Sequence, residues 1–129
     1  MLTNVLIVGI GGFIGAICRY LIIILNDKLY NNYEFPFDTL FVNVLGSFLI
    51  GIALALGIKY NVFARGTISS YLFVTGFLGA FTTFSAFSRD TLILLIERQY
   101  LTVTINILLN VVLSISFVII GYLIIVKRI

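Results

Sequence analysis

From Leu101 to Val126 the chain runs for 26 residues without a charge. As a helix that run is roughly 39 Å long at 1.5 Å per residue, more than the ~30 Å hydrocarbon core of a bilayer. A soluble domain has no surface for such a helix, so the run is a membrane span, closed by Lys127 and Arg128. Three more apolar regions, 2–25, 40–58 and 67–98, give four spans in one domain that takes in all 129 residues. Composition agrees: 61% of the residues are hydrophobic and 10% charged, where a soluble domain keeps about a quarter of its residues charged. The mean hydropathy is +1.20. The first run lacks a basic leader and is longer than a signal-peptide core, so it is read as a mature span.

The third region is too long for one straight span. Helical character from Thr67 to Arg98 would reach roughly 48 Å. Gly76, Gly79, Thr82 and Thr83 are poor helix formers, which places an interruption near Gly79 to Thr83. Broken helices at membrane depth line cavities or hold ions with freed carbonyls. The alternative is a simple span followed by an interfacial segment from Arg89 to Arg98. Asn26 to Asp38, with Pro36, forms the first loop, and Lys59 to Gly66 the second connection.

Four spans bring both termini to one side. That side carries Lys59, Arg65, Lys127 and Arg128, against Lys28 and Arg98 on the other. So small a basic excess permits insertion both ways and assembly as an antiparallel pair, or one-way insertion with the termini cytoplasmic. A four-span chain encloses little room for a polar path, so it is expected to oligomerise.

Several chemistries are excluded or disfavoured. Cys18 is the sole cysteine, so one chain builds neither a disulfide nor a thiolate metal site. The chain has no histidine, which argues against an enzyme or a proton-coupled pump. A net charge of +3 on so apolar a chain gives no basic face for nucleic acid.

Polar residues inside lipid are expensive and therefore informative. In the second span Thr39, Asn43 and Ser47 recur every four residues, and in the fourth Asn106, Asn110 and Ser114 do the same. Each set places donors on one helix face at about 6 Å steps, with no carboxylate among them. Such ladders either glue helices together or lead a small anion across. Phe84 and Phe87 share a face just after the interruption; they either face lipid or the core, as phenylalanine in a span normally does, or offer the positive edges of their rings to a dehydrated halide. Arg19 either snorkels to the interface or sets a positive potential at a pore mouth. Gly11 and Gly15 read as a small-xxx-small packing contact.

Four segments together resemble the CrcB/Fluc family of fluoride channels. GGFIGAICRY, Gly11 to Tyr20, is similar to the family's glycine-rich opening with its arginine, here Arg19. TLFVNVLGSFLIG, Thr39 to Gly51, resembles the segment carrying the pore asparagine, here Asn43. GFLGAFTTFSAFSRD, Gly76 to Asp90, is similar to the family's most specific segment, and the fourth span is the least distinctive. The resemblance implies an all-α membrane protein, a dual-topology antiparallel dimer in a prokaryotic plasma membrane, and passive fluoride export through two pores. It implies a pore of Phe84, Phe87, Asn43, Asn110, Ser114, Thr39, Asn106 and Ser85, with Arg19 at its mouth. It also implies a structural sodium ion (Na+) on the backbone carbonyls of Gly79 and Thr82 at the dimer centre, the partner being a second copy or a homologous chain. The chain departs from the pattern at Ala80, where the family has glycine, at Ala86, where it has threonine, and at Asn106, where many members have tyrosine. Two other functions fit four short spans: a small multidrug exporter, which needs a carboxylate that the first span lacks, and a non-conducting scaffold subunit.

Overall fold

The computed structural model describes residues 1–29 and 35–127. Among them every regular element is helical: α1 (Leu2–Leu29), α2 (Phe37–Tyr60), a wide-wound π-helical segment (Ser70–Leu78), the single turn α3 (Gly79–Phe81), α4 (Phe84–Ile96) and α5 (Tyr100–Val126). Four stretches are long and apolar enough to cross a bilayer: Leu2–Asn26, Phe37–Tyr60, Ser70–Ile96 and Tyr100–Val126. The four predicted spans are therefore present, and the third is composite.

The ends differ from the sequence reading. Helix α1 continues through Asn26 and Lys28 to Leu29, because polar residues at the membrane edge keep helical hydrogen bonds while their side chains meet water. Helix α2 starts at Phe37, so Asp38, predicted in the loop, lies in a first helical turn, where a carboxylate meets the positive end of the helix dipole. Helix α4 stops at Ile96, since Arg98 turns left-handed with φ 60°. Residues 30–34 of the predicted first loop, and Arg128, lie outside the described residues.

Two close helix pairs organise the bundle: α2 lies along α5, and α1 lies along the π-helical segment. Glycine permits both. At Gly51 a Cβ would overlap the Val118 carbonyl oxygen, and at Gly121 the Phe48 carbonyl oxygen. On the other pair, Gly11 and Gly15 sit against the Leu72 and Phe77 carbonyls, which is the predicted small-residue contact. Gly51→Val should lower stability by about 1–3 kcal/mol, because backbone on the facing helix cannot yield as a side chain can. Gly9, with nothing within 4 Å of an added Cβ, is the control, and Gly9→Ala should leave stability the same or slightly higher. Thermal unfolding in detergent reads both; equal midpoints for Gly51→Val and wild type would refute the packing argument.

The interruption of the third span falls on Thr82 and Thr83, at the end of the window Gly79 to Thr83. Thr82 (φ −77°, ψ 157°) and Thr83 (φ −151°, ψ 112°) are extended. Gly79 remains helical at φ −62°, ψ −32°. Glycine is thus not what opens this helix. Gly76 instead accommodates the Val8 carbonyl of α1, which would lie 2.7 Å from an added Cβ.

Candidate functional site

The break exists because its backbone finds partners outside the helix. In a continuous helix the Thr83 amide would donate to the Gly79 carbonyl, and the Ala86 amide to the Thr82 carbonyl. Here the Thr83 amide donates to Asn43 Oδ1 (2.8 Å), and the Ala86 amide to Thr83 Oγ1 (3.0 Å), an N-cap for α4. Asn43 Nδ2 returns a bond to the Thr83 carbonyl (3.2 Å), so one side chain of α2 holds both backbone groups of Thr83. Thr82 Oγ1 donates to the Leu78 carbonyl (3.0 Å), ending the preceding turn.

From Asn43 a chain of bonds runs across the bundle. Asn43 Nδ2 donates to Asn110 Oδ1 (3.0 Å), and Asn110 Nδ2 donates to Asn106 Oδ1 (2.9 Å) and to the Asn106 carbonyl (3.1 Å). Asn106 Nδ2 donates to Thr91 Oγ1 (3.0 Å), which donates to the Phe87 carbonyl (2.7 Å). The two predicted ladders are therefore joined by the Asn43–Asn110 amide pair. Their amides act as glue between α2, α4 and α5.

Beside this chain lies a groove of about 310 Å³ lined by Asn43, Ser47, Thr83, Phe84, Phe87, Asn110 and Ser114 among others. Five residues expected at a pore, Asn43, Phe84, Phe87, Asn110 and Ser114, come together there. Three do not line it. Asn106 is fully buried beneath it, Ser85 Oγ contacts Thr83 Oγ1 (3.2 Å), and Thr39 Oγ1 donates to Asp90 Oδ2 (2.7 Å). The rings of Phe84 and Phe87 stand 5.4 Å apart at 56°; Phe87 is buried, whereas Phe84 is 78% exposed. Arg19 is not itself in the lining, but its Nη1 donates to the carbonyl of Thr82 (3.3 Å), a residue that is.

From sequence Asp90 could pair with Arg89 or cap locally, with no place in the site, and Thr91 carried no reading. Asp90 is buried and meets the first residue of the α2 ladder, so the polar face of this bundle includes one carboxylate. Its signal was present: Phe87, Asp90 and Leu94 are the buried residues of α4, spaced three and four apart.

The chain also matches known proteins in sequence. Residues 6–122 match the model of the CrcB-like protein family (camphor resistance, CrcB). The chain is 44% identical to a Shewanella baltica protein named fluoride-specific ion channel FluC, over 99% of this chain and all of that one. It is 48% identical to the Campylobacter jejuni protein of the same name, over 96% of this chain and 98% of that one.

Proposed function

This chain belongs to the CrcB-like protein family, and from that premise we propose that it is a fluoride channel whose ion path follows the groove between α2, α4 and α5. It is a multi-pass membrane protein and not an enzyme. The observation that carries the path is the convergence on one groove of two serine hydroxyls, two asparagines and a tilted pair of phenylalanines, with no full charge among them. A dehydrating anion gains O–H donors and ring edges there, which bind well enough for entry and weakly enough for exit. Passive export follows from the chemistry of the ion: the neutral acid crosses lipid, dissociates in the cytoplasm, and leaves its anion to escape by a channel.

The groove is open on the side of Phe84, and in this proposal a second, antiparallel copy closes it. The break offers that partner a shared cation site. Gly79 and Thr82 carbonyls have lost the amide partners that a continuous helix would supply, since Asn43 and the Thr83 hydroxyl take those amides. Freed carbonyls of this kind suit sodium, and each carbonyl has two lone pairs, so the Arg19 bond leaves Thr82 able to bind an ion. Bound there, sodium would supply charge that fastens the two breaks together.

Fluoride efflux from liposomes carrying purified protein, with chloride as control, tests the function. A verified dimer that passes no fluoride would sink it. The same dimer, equally active and equally stable with sodium or with only a bulky organic cation, would remove the sodium site. The scaffold reading predicts silent vesicles with an intact dimer, and the exporter reading predicts proton-coupled uptake of an organic cation.

A further inference from the structure

A second opening, of about 440 Å³, lies beyond the far end of the hydrogen-bonded chain. Its charged lining among the described residues is Asp38, Asp90, Glu97 and Arg89: three carboxylates and one guanidinium. With three carboxylates to one guanidinium the opening is net negative; the carboxylate one turn from Phe87 is Asp90, and Arg89 pairs with that one. Its Nη2 and Nε both donate to Asp90 Oδ1 (2.7 and 3.0 Å), while Thr39 holds Oδ2 (2.7 Å). The Asp90 side chain is 11% exposed and that of Arg89 65%, so the pair has its negative member inside and its positive member at the water boundary. Asp90 lies one turn from Phe87, and Thr39 one turn from Asn43; both are groove residues.

We propose that Arg89 is a positioning residue for anion entry: it neutralises the Asp90 carboxylate at this opening and so lowers the repulsion that fluoride meets on approaching the pore. The inference rests on the anion path proposed above. A solvent-side guanidinium needs no contact with the ion to act in this way. Taking it away leaves an uncompensated negative charge one helical turn from the groove, at the edge of the opening. The field of a charge at a cleft entrance changes arrival rates of small ions by ten-fold or more at low ionic strength. Thr39 would still hold Asp90 in place, so the change is one of charge and not of shape.

The test compares initial fluoride efflux rates of purified wild type, Arg89→Gln, Arg89→Lys and the double variant Arg89→Gln/Asp90→Asn in liposomes, in about 10 mM and about 1 M inert salt, where the screening lengths are roughly 30 and 3 Å. Arg89→Gln should be slower by about ten-fold in low salt and recover most of the difference in high salt. Arg89→Lys should stay close to wild type, and the double variant should regain most of the wild-type rate. If Arg89→Gln matches wild type in low salt, or if the double variant is as slow as the single one, the inference is overturned while the channel function stands. Silent wild-type vesicles would bring down both.

Discussion

Asn43→Ala should lower fluoride efflux by about 100-fold, and the loss should come with a less stable protein. Asn43 alone pairs with both the amide and the carbonyl of Thr83, a residue only 7% exposed. Without it those groups, and Asn110 Oδ1, have no partner. Each unsatisfied buried polar group costs about 1–3 kcal/mol, and 1.4 kcal/mol is a factor of ten. The break has two ways to respond, and both damage the path. The helix can close across Thr82 and Thr83, restoring backbone bonds but turning Phe84 and Phe87 to another face. Alternatively, the break can stay open and fluctuate. Efflux together with thermal unfolding separates these responses, since a closed helix regains stability and a fluctuating one does not. Unchanged flux in Asn43→Ala would refute the view that this asparagine holds the path open.

Phe84→Ile should abolish flux while leaving the subunit fold intact, because the ring is 78% exposed in the subunit and contributes little to its core. Phe87→Ile should also abolish flux, but with a fold cost of about 1 kcal/mol, since its ring is buried and the smaller side chain leaves a gap. The contrast separates function from stability within one pair of residues. Isoleucine keeps the apolar character and removes the polarised ring edge, so a channel that needed only a greasy constriction would still conduct. Dimer content by size-exclusion chromatography and efflux from liposomes are the two measurements. Conduction by either variant at the wild-type rate would remove the phenylalanine pair from the path.

Both predictions depend on the third span being two helices, and here the legibility of the chain divides. Its four spans could be read at once, because hydropathy adds along a helix and a run such as Leu101 to Val126 has one physical solvent. Ladder spacing was equally legible: every fourth residue of a helix shares a face whatever surrounds it, so Asn43 and Ser47, or Asn110 and Ser114, had to line up. An interruption followed from length, and its window near Gly79 to Thr83 from the poor helix formers there. Which residues of the window open did not follow, because propensity ranks glycine as the better breaker, and Gly76 and Gly79 both stay helical.

What settled the break was a side chain forty residues away. Thr83 leaves the helix because Asn43 offers its amide and carbonyl better partners than the next turn does. For the same reason the asparagines proved to be bound to one another, and Asp90 joined Thr39 with Arg89 balancing its charge. Periodicity describes one helix at a time. The choice of partner across α2, α4 and α5 depends on how closely Gly51 and Gly121 let two backbones approach, and that distance exists only in the packed bundle.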